Sequence, residues 1–270
     1  MAAARRAQRW GCGLATGALV LLVGGFALAL LLAVVRGLGQ SESVAITDIP
    51  VAEPVPWTGS QPETGVDVSF PQCGRTLRDL TDGYVIVGLD GGMPDRPNPC
   101  FARQWAFAER QAGVAVYVNT SDNGRGDAGA LGRRNARADI ARLEEHGIGP
   151  GTPVWLDVEL PEVWQGSQAR HREVITEHLR VLAEAGYPVG IYSAPRLWRD
   201  ITGGARLDVP TWVGIGEAEP EDSQRTCQRN SFGGVRPSIV QRIGRGSDGL
   251  PLDRNLTCPG VDLTGLIRPT

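Results

Sequence analysis

The sequence predicts an α/β protein: a closed, TIM-like barrel of five β/α units followed by three strands without helices, preceded by one transmembrane helix. Three observations carry this reading. An uncharged apolar run occupies residues 11–35, and from Thr64 onward short apolar runs alternate with segments of helical period. After Ile201 the helical period fades while strand-like runs continue.

The run from Gly11 to Val35 is built of Leu, Val, Ala and Gly. At ~1.5 Å per residue a helix of that length reaches across the ~30 Å hydrocarbon core of a bilayer. It exceeds the ~7–15 residues of a signal-peptide core and has no clear cleavage site after it, which favours an uncleaved signal anchor. Arg5, Arg6 and Arg9 precede the run and Arg36 alone follows it closely, so the N-terminus is expected in the cytoplasm. Residues 1–10 then form a cytoplasmic basic tail and residues 11–35 the transmembrane segment. Residues 36–63 form a Pro-rich extracytoplasmic linker, extended and solvated, and residues 64–270 the barrel domain. The expected location is the cell membrane, single-pass, with the barrel outside.

Cys12 falls in the apolar run, leaving Cys73, Cys100, Cys227 and Cys258 beyond it. An even set in an exported domain points to two disulfides, and four cysteines allow three pairings. Cys73 follows the first strand and Cys100 opens the helix after the second; Cys227 and Cys258 bracket the seventh strand. Proximity favours Cys73–Cys100 and Cys227–Cys258. With no CxxC spacing and only three histidines, no metal site is expected. No GxGxxG turn follows a strand, so no dinucleotide cofactor is expected either. Four of the 27 basic residues lie before residue 37, which leaves 23 basic against 30 acidic side chains beyond it and argues against nucleic acid as a partner. Every basic residue is Arg, which reads as a coding bias.

Candidate strands are 65–70, 84–89, 114–119, 154–159 and 189–193, with candidate helices at 75–80, 101–111, 135–146 and 168–185. Ile175, Leu179, Leu182 and Ala183 make the clearest helical stripe, ended by Gly186. The runs 211–215, 239–243 and 261–263 read as three further strands. Eight strands at this length suit a small closed barrel, with an open doubly wound sheet as the alternative.

Asp157 and Glu159 stand two apart in Val154-Trp155-Leu156-Asp157-Val158-Glu159, so on a strand they share a face. At the C-terminal end of a barrel strand that face is the mouth, where barrel enzymes hold their chemistry. Glycosidic cleavage needs a protonated carboxyl beside an ionised one, and crowded acids separate each other's pKa values. Asp67 closes the first candidate strand and Asp262 lies in the last, and in a closed barrel those strands are neighbours. Tyr192, near the end of the fifth strand, is a further candidate for the mouth. Trp105, Trp155, Trp164, Trp198 and Trp212 read mainly as core.

The segments GVDVSFPQ, VWLDVE, GYPVGIYSAPRLW, PTWVGI, SIVQ and GVDL occur in the order of family 25 glycoside hydrolases, which this chain resembles from Thr64 to Ile267. GYVIVGLDGG, NPC and YVNT are similar to a group of actinobacterial secreted glycoside-hydrolase-like proteins. The resemblance implies a lysozyme-type barrel of five β/α units and three terminal strands. It implies Glu159 as proton donor, Asp157 as its paired acid, Asp67 and Asp262 as supporting carboxylates, and Gln241 with Tyr192 toward the substrate. The family has an aromatic after the sixth strand where this chain reads Gly214-Ile215-Gly216-Glu217, and Trp-Gln-Tyr where it reads Val240-Gln241-Arg242. Two functions follow as expectations. One is a membrane-anchored hydrolase of a cell-wall or envelope glycan; the other is an inactive glycan-binding module on the same barrel.

Overall fold

Along the strands, every second residue points into a barrel lumen and the others point out toward helices. A computed structural model describes residues 44–77, 83–246 and 249–270. The barrel strands are β1 (Thr64–Val68), β2 (Tyr84–Gly88), β3 (Gly113–Asn119), β4 (Val154–Asp157), β5 (Val189–Ser193), β6 (Thr211–Glu217), β7 (Ile239–Arg245) and β8 (Pro251–Thr257). They pair in sequence order, and β8 closes the sheet on β1. Helix α1 (Phe101–Ala108) follows β2, α2 (Ala128–Glu145) follows β3, α3 (Gln168–Glu184) follows β4, and α4 (Pro195–Thr202) follows β5. Helix α5 (Pro220–Cys227) follows β6.

The alternation has a clear chemical basis. Val66, Val85, Val87, Val114, Val116, Val118, Leu156, Ile191 and Val213 face outward and build the larger core beneath the helices. Inside, Tyr84, Trp155, Tyr192 and Trp212 fill the lumen with rings. Rings of this size fit because neighbouring strands place glycine beside them. A Cβ at Gly65 would come within 2.4 Å of the Tyr84 ring, and one at Gly190 within 2.4 Å of Trp155. The lower end is sealed by the C-terminal segment, whose Leu266 carbonyl accepts from Trp155 Nε1 at 3.1 Å.

Helix ends follow local chemistry. Asp127 caps α2 by accepting from the Ala130 N–H at 2.6 Å, and Ser167 caps α3 by accepting from Arg170 at 3.3 Å. Pro195 begins α4, and Gly203, at φ 76°, ends it in the left-handed conformation that glycine adopts freely.

Several expectations are corrected here. Helix α5 follows the sixth strand, so the last three strands are not a helix-free run; Pro220 starts it and acidic Glu221 and Asp222 lie in its first turn, where the helix dipole favours them. Residues 261–263 form no strand. The eighth strand is Pro251–Thr257, joined to β7 by a tight hairpin and antiparallel to both neighbours. A hairpin must reverse direction, whereas a parallel return needs a crossover. The barrel is therefore not a TIM barrel, in which all eight strands are parallel. The transmembrane helix expected at 11–35 lies outside the described residues, and among the described residues no helix is long and apolar enough to cross a membrane. Within the expected 75–80 helix, residues 75–77 are not helical, and the remainder lies outside the described residues.

The segment expected as a solvated linker is packed from residue 44 onward. Ala45–Ile46 pairs in parallel with Arg206–Leu207, Ile46 is buried, and Trp57 Nε1 donates to the Ile267 carbonyl at 2.9 Å. Apolar side chains among the prolines explain the difference, since burying Ile46 and half of Trp57 outweighs the ordering of a chain that proline has already stiffened. Both disulfides form, Cys73–Cys100 with Cα atoms 5.5 Å apart and Cys227–Cys258 with 5.4 Å.

Candidate active site

A cavity of about 800 Å³ opens at the C-terminal end of the parallel strands, and four acids line it. Asp67 comes from the end of β1, Asp157 from the end of β4, Glu159 from two residues further on, and Asp253 from β8. Tyr117, Tyr192, Trp212 and Gln241 complete much of the wall. A second hollow of about 840 Å³ lies beside α4 and α5, where Arg199, Arg225 and Glu217 are exposed surface groups.

The strand end at β4 is shaped with care. The Val158 N–H donates to the Tyr192 carbonyl at 3.0 Å, and Ser193 Oγ donates to the Val158 carbonyl at 2.7 Å. Just beyond Glu159 the chain turns through Leu160 at φ 54°, a strained conformation for a branched side chain. Trp164 Nε1 holds the Glu159 carbonyl at 3.0 Å, which steadies the turn.

Each acid has a distinct setting. Asp67 is buried and accepts from Gln241 Nε2 at 3.1 Å and from Asn255 Nδ2 at 2.9 Å. Burial pushes its pKa well above the usual carboxylate value, and the Asp253 carboxylate adds to this. Asp157 accepts from Asn119 Nδ2 at 2.6 Å through Oδ2, while its buried Oδ1 has no partner in the protein. Burial and then Glu159 raise its pKa well above the ordinary range. Glu159 is less enclosed; burial raises its pKa and the Tyr192 hydroxyl beside it works the other way. Asp253 is raised by burial. The Tyr192 hydroxyl donates to Gln241 Oε1 at 2.7 Å, so Tyr192, Gln241 and Asp67 form one hydrogen-bonded row.

The structure thus brings Asp67, Asp157, Glu159, Tyr192 and Gln241 around one cavity. Asp262 is elsewhere. It follows β8, which runs down the barrel with Leu256 opposite Thr64, so Asp262 lies beyond the lower end, exposed and accepting from Gln61 Nε2 at 2.6 Å. Asp253 takes the place at the mouth. Its sequence signal was present: Asp253 and Asn255 are two apart within a strand-length run after the Gly246–Gly249 turn, so both face the lumen. Asn119 and Tyr117, toward the end of β3, also join this end of the barrel, Tyr117 in the cavity wall and Asn119 against Asp157. Among the described residues, no group of His, Cys, Asp and Glu is arranged to hold a metal ion.

Chemically, the arrangement holds carboxyls in a low-dielectric mouth where not all can ionise together, so one can carry a proton while another is charged. That is the equipment of acid–base cleavage at an acetal centre.

A closed eight-stranded α/β barrel with carboxyls from β1, β4 and β8 at its mouth has the lysozyme-type architecture of family 25 glycoside hydrolases. A family model described as Lysozyme-like protein 1 matches residues 96–232, half of the chain, and the chain belongs to that family. The matched span includes Asp157, Glu159 and Tyr192. Among solved structures, the chain is similar to a muramidase from Trichobolus zukalii at 16% identity, covering 74% of this chain and 95% of that one with a TM-score of 0.53. A family 25 glycosyl hydrolase from Bacillus anthracis matches at 16% identity over 72% and 88% of the two chains, TM-score 0.52. A Clostridium perfringens spore cortex lytic enzyme matches at 15% identity over 77% and 71%, TM-score 0.54. At these identities the likeness establishes the fold. No curated protein sequence matches the chain.

Proposed function

We propose that this protein hydrolyses a cell-wall glycan of the peptidoglycan type, with Glu159 as general acid. The observation that carries the reading is the pairing at the mouth: Glu159, partly open to the cavity with a raised pKa, stands beside Asp157, whose Oδ1 is buried and unpartnered. Glu159 would give its proton to the glycosidic oxygen as the bond from C1 breaks. Asp157 Oδ1 would accept a hydrogen bond from the substrate's acetamido N–H or face the positive charge that develops on the sugar. Asp67 and Asp253 would keep the mouth negative and so favour that charge. Membership of a lysozyme-like family and likeness to muramidase folds support the same substrate class.

The barrel's place on the outer side of a cell membrane is part of this proposal. It is supported by the arginines that flank the apolar run 11–35 on one side and by two disulfides, which persist in oxidising compartments.

The test is reducing-end release from peptidoglycan by the purified chain and by Glu159→Gln, alongside glycan binding by both. Turnover should fall roughly 10²–10⁴-fold in the variant while binding persists. Hydrolysis that survives the substitution removes Glu159 from this role. One observation favours the alternative of a glycan-binding module without turnover: the cavity wall presents Gly214, Ile215, Gly216 and Ile243 where stacking aromatics would grip a sugar for catalysis. A wild type that binds glycan and releases no ends would establish that alternative.

A further inference from the structure

Behind Asp157, away from the cavity, lies a closed ring of buried polar groups that the proposed chemistry does not use. It begins at the end of β3. The Asn119 N–H donates to Asp90 Oδ2 at 2.8 Å. The other Asp90 oxygen accepts from Arg142 Nη1, and Arg142 Nη2 donates to Asp139 Oδ1, both on α2. Asp139 Oδ2 meets His178 Nε2 of α3 at 2.8 Å. A carboxylate only accepts, so Nε2 donates to it, and His178 Nδ1 shares a hydrogen bond with the Thr120 hydroxyl at 3.2 Å. Thr120 is bonded to Asn119, and the ring is complete. Asp90, Asp139 and His178 are all but sealed from solvent.

The ring surrounds one mechanically important dipeptide. Asn119 is gripped by its backbone N–H and Thr120 by its side chain, from two directions. The free side chain of Asn119 then points its amide at Asp157 Oδ2, and the Thr120 N–H meets the Asp157 carbonyl at 3.3 Å. Buried ionisable groups such as Asp90 and Asp139 are expensive to place in a barrel wall unless they are paired, and apolar side chains would fill the space between α2 and α3 at lower cost. What apolar packing cannot supply is a fixed direction for the Asn119 amide.

We propose that Asp90, Arg142, Asp139 and His178 are positioning residues, a clamp formed by the α2–α3 pair together with Asp90 beyond β2, that holds Asn119–Thr120 so that the Asn119 amide is locked onto Asp157. The inference concerns the setting of Asp157 and rests on the proposed function only for its consequence for turnover. Asp157 faces Glu159 from its own strand end, Asp67 across the lumen, Tyr117 of β3, Tyr192 of β5, and Asn119 and Asp90 on the clamp side. Of these, the Asn119 amide is the group that favours its ionised form.

The test is a double-mutant cycle read on the full chain by ¹³C-carboxyl NMR titration of Asp157. Thr120→Val keeps the shape and cuts the ring at His178; Asn119→Ala removes the amide itself. Thr120→Val should move the Asp157 midpoint upward by about half a pH unit, a fraction of one hydrogen bond. It should add nothing in the Asn119→Ala background, because the clamp acts through that amide. Thr120→Ser, which restores the hydroxyl, should return the midpoint to the wild-type value. Asp139→Asn is the second cut, expected to shift the midpoint in the same non-additive way. An unmoved midpoint in both cut variants overturns the proposal, as does an equal shift with and without Asn119. If peptidoglycan is hydrolysed, Thr120→Val should lower kcat with KM unchanged. An inactive wild type overturns the proposed function and leaves the titration result standing.

Discussion

Asp67 on β1 and Asp253 on β8 occupy paired positions across the seam that closes the barrel, although the two strands run in opposite directions. Each carboxylate raises the cost of ionising the other, Asp253 being the principal charged neighbour acting on Asp67. This is the seam on which the expectation for Asp262 failed.

Replacing Asp253 should therefore matter, and replacing Asp262 should not. Asp253→Asn is expected to lower peptidoglycan hydrolysis about 10-fold or more, equivalent to about 1.4 kcal/mol in the barrier. The same change should lower the titration midpoint of Asp67, since a like charge is removed. Asp262→Asn should retain wild-type rates. Initial rates of the two variants decide it, and a larger loss at Asp262 would displace Asp253 from the site.

The burial of Asp157 has a consequence for stability. Its folded pKa is raised, so the fold favours the neutral form. Its contribution to stability is complete below the unfolded value of about 3.9 and is lost as pH rises through the folded value. Asp157→Asn keeps an acceptor for Asn119 and never ionises. It should raise Tm at pH 7, by about 2–4 °C for each kcal/mol relieved, and the gain should shrink toward pH 4. Melting curves at the two pH values check the sign. A variant less stable than wild type at pH 7 contradicts it.

The Cys227–Cys258 bridge ties the end of α5 to the segment after β8, its cysteines 31 positions apart in the sequence. Closing a loop of that length is worth about 3–4 kcal/mol in the chain-entropy model. The double replacement Cys227→Ala/Cys258→Ala should lower Tm markedly while leaving Cys73–Cys100 oxidised. Thiol counting and thermal melts under the same conditions report both. A melt indistinguishable from wild type would show that α5 is held by other contacts.

Gly132 of α2 lies directly against the backbone of α3. A Cβ there would stand 2.3 Å from the Val174 carbonyl oxygen and 3.1 Å from the His178 N–H nitrogen. Alanine ordinarily favours a helix over glycine by about 1 kcal/mol. Here the backbone of α3 must yield, and overpacking of this kind costs about 1–3 kcal/mol. Gly132→Ala should be destabilising in urea unfolding. A stabilised variant would mean that the two helices slide freely.

Much of this protein was legible along the chain. Short apolar runs at β1 to β7 marked strands because a strand between a filled lumen and a helix layer is buried on both faces. The stripe at Ile175, Leu179 and Leu182 marked α3, and the spacing of Asp157 and Glu159 placed both on one side of β4. Cysteine order gave the two disulfides, since each pair brackets neighbouring elements. Local patterns suffice where the cause is local.

The direction of β8 is not local. The chain returns antiparallel beside β7, which lifts Asp253 to the mouth and carries Asp262 below the barrel. Nor could periodicity show that Asn119, Asp90, Arg142, Asp139 and His178, spread over four elements, close into one ring. Strand direction and ring closure are long-range facts, decided when the sheet meets its own edge and two helices press on one strand end. The sequence by itself determined which residues could ionise and which faces were apolar; only the closed barrel decided which of those acids meet.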